Sequence, residues 1–338
     1  MRSRFQLAVV GAGRVGMAHA RNAAGSIPDT ELACVVDADA DVGDRAGAEL
    51  GVPVFPDLEQ ALSGAAFDGV VITVPTFAHA ELAVLAAGAG KHIFCEKPIA
   101  FSLEVIDNSL AAVKAAGVQL QIGFNRRFDA NFARVRHAVA TGEIGKPNLM
   151  HIISRDPAPP PLAYVKVSGG IFMDMTIHDF DMARFLIGDE VEEIYTAAGV
   201  RVDPEIGNAG DLDTALIVLR FRNGVIGTID NCRKAPYGYD QRVEILGSEG
   251  KIATENCYPN QAVVSDGKSV HTDLPLNFFM ERYTESFASE LKSFVTAIRE
   301  KRTTAVTGID GRIPVAMALA ARKSYDERRP VRLEEVGG

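Results

Sequence analysis

Two places in this chain bring together side chains that could move a proton, and a third could hold a phosphate. Asp174 and His178 stand four apart in Asp174-Met175-Thr176-Ile177-His178-Asp179. That spacing is one helical turn and places both on one face of a helix. Histidine is the natural base for an alcohol proton near neutral pH, and an alcohol that gives up a hydride must also lose that proton. An aspartate on the same face could orient the ring or bond a substrate. The same letters also allow plainer roles: Asp174 as a helix N-cap beside a packed histidine, or half of a metal pair, which lacks its other ligands. Lys97 follows the fourth apolar run, His92 to Cys95, in Glu96-Lys97-Pro98. Ligands of open α/β sheets bind beyond the carboxyl ends of the strands. A lysine there could face a cofactor crevice and donate a hydrogen bond or relay a proton, or simply face solvent. Pro98 stiffens the turn; whether its peptide is cis stays open in the sequence.

The phosphate element is Gly11-Ala12-Gly13-Arg14-Val15-Gly16, which fits G-x-G-x-x-G. Its context carries more than its letters. It follows the apolar run Phe5 to Val10 and opens a helical pattern containing Val15, His19 and Ala23. The glycines allow a tight turn, a close approach of backbone to pyrophosphate, and close packing of helix on strand. Free N–H groups at the helix start suit phosphate. Asp37 ends the second apolar run and could accept hydrogen bonds from both adenosine ribose hydroxyls. It would repel a 2′-phosphate, and Asp39 adds charge with no Arg or Lys close behind. The expected cofactor is NAD rather than NADP. The cofactor set expected along this edge is Gly11, Ala12, Gly13, Arg14, Val15, Gly16, Asp37, Thr73, Pro75, Glu96 and Lys97.

The elements that must position these residues follow from the pattern. Short apolar runs at 5–10, 32–36, 69–74, 91–95 and 118–123 alternate with helical segments at about 41–50, 76–89 and 102–116. That alternation predicts βαβ units and a doubly wound parallel sheet of the Rossmann type. After Phe124 the texture changes. Helical patterns at 128–141, 174–187, 278–300 and 309–325 accompany strand-like runs at 149–154, 191–201, 212–221, 225–232, 241–247 and 250–255. Consecutive strands predict a mostly antiparallel open sheet in an α/β domain. The expected division is residues 1–123 for NAD and 124–338 for substrate and oligomerisation, with the 309–325 helix able to pack back on the first domain.

Composition narrows the classes. A chain of 338 residues is long for one core and comfortable for two. Hydrophobic residues at 47% and charged residues at 23% exclude a largely disordered chain. A net charge of -9 argues against nucleic-acid binding. Cys34, Cys95, Cys232 and Cys257 form no CxxC pair and are expected as buried thiols in a reducing compartment. No apolar run approaches the roughly 20 residues of a membrane span, and the first ten residues are too short for a secretory leader. The expected location is the cytoplasm.

Taken together, GAGRVG (11–16), EKP (96–98), GFNRRFD (123–129) and GGIFMDMTIHDFDMARFL (169–186) resemble the glucose–fructose oxidoreductase, inositol dehydrogenase and rhizopine-catabolism family over nearly the whole chain. The DMTIHDFD segment and NCRKAPYGYDQRVEILGSEG (231–250) resemble most its bacterial myo-inositol dehydrogenase branch. The resemblance implies that Lys97, Asp174 and His178 are catalytic, with His178 taking the hydroxyl proton. It implies that Asn125, Arg126, Asp156 and Tyr239 join Asp174 and His178 at the substrate. It further implies oxidation of myo-inositol to 2-keto-myo-inositol, no metal, and a homo-oligomer, dimer or tetramer. Ser154 stands where some inositol dehydrogenases carry histidine, which leaves other cyclitols or an aldose as alternative substrates. A nucleotide-sensing protein without turnover, or an enzyme that cleaves a glycoside with transient use of NAD, is the remaining alternative.

Overall fold

The computed structural model describes residues 4–338. The expectation about a leader falls partly on residues 1–3, outside the described residues. The chain divides into two compact units. One holds the residues up to Phe128 together with Glu285–Val315, and the other holds Asp129–Thr284 with Ala316–Gly338.

The first unit is built on a six-stranded parallel sheet: β1 (Phe5–Val10), β2 (Thr30–Val36), β3 (Val54–Phe55), β4 (Gly69–Ile72), β5 (His92–Glu96) and β6 (Leu120–Gly123). Their order is β3-β2-β1-β4-β5-β6, the doubly wound order, with its switch between β1 and β4. The central strands are apolar on both faces because helices cover both sides. Strand β3 is absent from the sequence expectation, so Lys97 follows the fifth strand and not the fourth. Asp39 caps the helix Ala40–Leu50 by accepting from the Val42 N–H, and Gly51 closes it in the left-handed region.

This unit's core includes Leu7, Val9, Val35, Val71 and Phe94 together with Leu291, Phe294 and Val295. The last three come from the helix Thr284–Arg299. The edge strand β6 is also tied to this returning segment, through Ile122 N–H to the Val306 carbonyl at 3.1 Å and the Thr304 hydroxyl to the Leu120 carbonyl at 2.6 Å. A single cut after residue 123 therefore differs from the observed division, because residues far down the chain complete the first core.

The second unit carries a seven-stranded sheet: β7 (Pro147–Arg155), β8 (Val191–Gly199), β9 (Thr214–Phe221), β10 (Ile226–Cys232), β11 (Asp240–Gly247), β12 (Lys251–Thr254) and, after the small hairpin β13 (Val263–Ser265) and β14 (Val270–Thr272), β15 (Val331–Arg332). The order is β12-β11-β7-β10-β9-β8-β15. Only β7 and β10 pair in parallel; the other pairs are antiparallel. β9 and β10 form a hairpin, with Gly224 at φ +90° in its turn. The sequence pattern predicts one helix over 174–187. The structure instead ends a short helix, Ile171–Asp174, and starts a second at Thr176, with Met175 between them at φ -95°, ψ -60°. Among the described residues, no helix is long and apolar enough to cross a membrane. Cys34 and Cys95 are buried as expected, while Cys232 and Cys257 are only half-buried.

Candidate active site

In the first unit the glycine loop has the geometry its letters suggest. Gly11 sits at φ +95°, and a Cβ there would come within 2.9 Å of the Val74 backbone nitrogen. A Cβ on Gly16 would fall inside the Gly11 carbonyl oxygen, so the helix Arg14–Arg21 can approach β1 only with glycine at that position. Gly13 differs: a Cβ there would meet nothing within 4 Å. It is also the N-cap of that helix, with no side chain capping it and no acid in the first turn. Open space in front of uncapped N–H groups fits a pyrophosphate. Gly16→Ala should push the helix off the turn and weaken NAD binding by about tenfold or more. Calorimetry checks this, and unchanged affinity would refute the packing argument.

Asp37, at the carboxyl end of β2, is already held in place. Its Oδ2 accepts from the Ala12 N–H at 2.7 Å and its Oδ1 from the Asp39 N–H at 2.9 Å. A carboxylate has lone pairs left for ribose hydroxyls after these two bonds. The loop residues Arg14 and Val15 are exposed and half-buried. The Thr73 hydroxyl faces the Gly11 carbonyl at 2.7 Å and the Val10 carbonyl at 3.0 Å, so it secures the turn. Pro75 opens a short 3-10 turn, Thr76–Ala78.

Glu96, which ends β5, is half-buried, and its Oε1 lies 2.9 Å from His19 Nε2, a contact that ties this turn to the glycine-loop helix. Lys97 is half-buried, and the Lys97–Pro98 peptide is cis. His79, which the sequence analysis passed over, ties this turn down. Its two ring nitrogens lie 2.8 Å from the Pro98 carbonyl and 2.7 Å from the Val74 carbonyl. Burial pushes its imidazole below the ordinary histidine range. In sequence it was one histidine at the start of an alanine-rich helix, with no signal beyond that. Asn125 and Arg126 are buried in the 3-10 turn Asn125–Phe128 that follows β6.

In the second unit Asp174 is the last residue of the short helix Ile171–Asp174, and His178 lies in the first turn of the helix Thr176–Ile187, half-buried. Asp174 is gripped from two sides. Tyr164 donates its hydroxyl to Oδ1 at 2.8 Å, and Arg233 Nη1 lies 3.1 Å from Oδ2. The Arg233 side chain is 1% exposed and also faces Asp211 Oδ2 at 3.5 Å. Asp211 in turn accepts the Ile171 N–H at 2.9 Å. One buried guanidinium thus hydrogen-bonds Asp174 and balances the charge of Asp211, the carboxylate that holds the start of the Asp174 helix. Tyr164 is itself 47% exposed, and beside the Asp174 carboxylate its hydroxyl stays protonated as the donor. Neither Tyr164 nor Arg233 was singled out from sequence; Arg233 is 59 residues from Asp174.

The His178 helix is anchored by its own buried polar group. Thr176 donates to Asn231 Oδ1 at 2.6 Å, and Asn231 Nδ2 donates to Asp179 Oδ2 at 2.8 Å. Asn231 thus pins the helix start to β10. Ser154 is buried and paired with the Gln241 side chain at 3.0–3.1 Å. Asp156 is half-buried, and its carbonyl accepts the Ala235 N–H at 2.6 Å. Tyr239 is buried and meets Tyr283 edge-on at 6.1 Å between ring centres.

Comparison with known proteins agrees with this architecture. Residues 5–124 match the model of the oxidoreductase family with an NAD-binding Rossmann fold, and residues 132–253 match the GFO/IDH/MocA C-terminal domain. The chain is 46% identical to the myo-inositol 2-dehydrogenase of Thermotoga maritima, covering 99% of this chain and 100% of the relative. It is 43% identical to the inositol 2-dehydrogenase of Rhizobium meliloti, covering 98% and 99%. A crystal structure of a probable dehydrogenase from Thermotoga maritima superposes with a TM-score of 0.96 at 45% identity, covering 98% of this chain and 100% of that one. The chain belongs to the GFO/IDH/MocA family and is an NAD-dependent oxidoreductase.

Proposed function

We propose that this enzyme oxidises myo-inositol at one secondary hydroxyl to 2-keto-myo-inositol. The observation that carries the reading is the full-length likeness to the Thermotoga maritima myo-inositol 2-dehydrogenase. The held pair Asp174 and His178 supplies the chemistry such a reaction needs. NAD, when bound, supplies the hydride acceptor. His178 takes the hydroxyl proton. Lys97 and Asp174 hold the reacting oxygen and stabilise the charge that develops on it. Arg233 and Tyr164 fix the Asp174 carboxylate. Asn125, Arg126, Asp156 and Tyr239 contact the remaining hydroxyls. Asp37 selects NAD over NADP. We place the enzyme in the cytoplasm as a homo-oligomer, dimer or tetramer.

The test is a set of steady-state rates with myo-inositol, scyllo-inositol, D-chiro-inositol and aldohexoses, each with NAD and with NADP. The expected result is the highest kcat/KM for myo-inositol with NAD. A missing polar contact in a site built for a hydroxyl costs orders of magnitude, so the margin over a poor epimer should reach about tenfold or more. A higher value for another polyol overturns the substrate, and a tenfold preference for NADP overturns the role of Asp37.

A further inference from the structure

Behind the Lys97 turn lies a buried polar cluster that the reaction as described does not use. His19 Nε2, a Glu96 carboxylate oxygen and a Glu290 carboxylate oxygen all lie within 4.8 Å of one another. All three residues belong to the first unit. His19 sits on the helix that opens at Gly13, Glu96 ends β5 immediately before Lys97, and Glu290 comes from the returning helix Thr284–Arg299. His19 and Glu290 are fully buried. The His19 ring is held edge-on between Phe94 and Phe287, at 4.9 and 5.6 Å between centres. Its Nε2–H donates to Glu96 at 2.9 Å and lies 3.8 Å from Glu290. A Cβ on Gly123, the residue paired with Glu96 across β5 and β6, would come within 2.8 Å of the Glu96 carboxyl carbon. Glycine at 123 leaves the space that carboxylate occupies.

Among the described residues, neither Glu290 carboxyl oxygen has a hydrogen-bond partner. A bare carboxylate sealed from water is costly, so it must be neutralised. A proton on the carboxyl neutralises it with no further group, whereas a cation held by these three atoms would need water as a fourth ligand. Consistent with this, burial and then the charge of Glu96 push the Glu290 carboxyl well above the usual carboxylate range.

We propose that His19 and Glu290 are positioning residues for Lys97: they lock the Glu96 side chain beneath the turn that carries the lysine and join that turn to the helix of the glycine loop. This rests on Lys97 serving the reaction. Glu290 backs the His19–Glu96 contact as a neutral acid, and a glutamine should replace it.

The experiment compares His19→Leu, Glu290→Leu, Glu290→Gln and Lys97→Ala in the full-length enzyme, by kcat, KM for NAD, Tm and metal content. A misplacement of about 1 Å at a reacting group can cost up to 10²-fold. His19→Leu and Glu290→Leu are therefore expected to lose about tenfold or more in kcat, with KM for NAD within about twofold. Glu290→Gln should keep kcat within about threefold of the parent.

Its stability should also respond to pH with a defined sign. A carboxyl whose folded pKa is raised contributes full stability below its ordinary value near 4.5 and loses it as pH rises toward the folded value. The neutral amide lacks this loss, so Glu290→Gln should gain in Tm relative to the parent as pH rises above the ordinary carboxyl value of 4.5. If Lys97→Ala is inactive but both leucine variants turn over like the parent, this inference fails and the role of Lys97 stands. If Lys97→Ala retains parental kcat, the role of Lys97 fails and the inference with it. A Glu290→Gln enzyme as impaired as Glu290→Leu, or a stoichiometric divalent cation whose removal by EDTA lowers kcat, also overturns it.

Discussion

His178→Ala is expected to lower kcat by about 10³-fold while NAD still binds within about twofold of the parent. A positioned general base contributes about 10²–10⁴ in rate, and the proton of a secondary alcohol has no comparable acceptor in water at neutral pH. NAD affinity should survive because the glycine loop and Asp37 belong to the first unit, whereas His178 belongs to the second. Lys97→Ala should behave similarly, with a loss of about 10²–10³-fold, the range seen when one donor to a developing oxyanion is removed. Steady-state kinetics with saturating myo-inositol, alongside calorimetric titration of NAD, decides the matter. Turnover near that of the parent in either purified variant would remove that residue from the mechanism.

Arg233→Met should cost about 3–5 kcal/mol of stability, the range for removing one partner of a buried ion pair. The guanidinium faces both Asp174 and Asp211 in a site where Arg233 is essentially sealed from water. Without it two carboxylates lose their cation, and Asp211 is the group that receives the Ile171 N–H at the start of the Asp174 helix. Arg233→Lys should recover only part of the loss, because a point charge cannot reproduce the planar fork that reaches two acids. Thermal or urea unfolding measures the cost. A loss below about 1 kcal/mol for Arg233→Met would mean that water reaches the pair and that the site is not dry. Tyr164→Phe probes the same carboxylate more gently, since it removes one solvent-exposed hydrogen bond worth about 0.5–1.5 kcal/mol.

The parts of this enzyme legible in its sequence were those governed by local rules. Glycine spacing, an acid ending a strand and apolar runs of strand length revealed the loop, Asp37 and the doubly wound sheet. Strand β3 escaped because Val54 and Phe55 alone carry no periodicity. The break at Met175 escaped because an apolar residue, not glycine or proline, interrupts the helix, and the hydrophobic pattern runs through it unbroken. Asp174 and His178 therefore lie on two consecutive helices, either side of Met175. The partners of Asp174 were invisible for a different reason. Tyr164 and Arg233 meet it, and Asp211 meets Arg233, only because the loops around β10 bring these segments together, and a buried arginine reads in sequence like any exposed one. The contact between Glu96 and His19 was equally invisible, because it joins residues 77 apart in the chain.

The return of Glu285–Val315 to the first sheet bears on how the protein is made. A ribosome delivers β1 to β6 long before it delivers Leu291, Phe294 and Val295. Until then Val71 and Phe94 sit in a sheet whose covering is incomplete. The nucleotide-binding half therefore cannot close its core as an early, independent product of translation, although it is encoded first. Nascent chains of intermediate length should expose apolar surface and depend on chaperones, and NAD can help to stabilise that half only once synthesis has passed roughly residue 300.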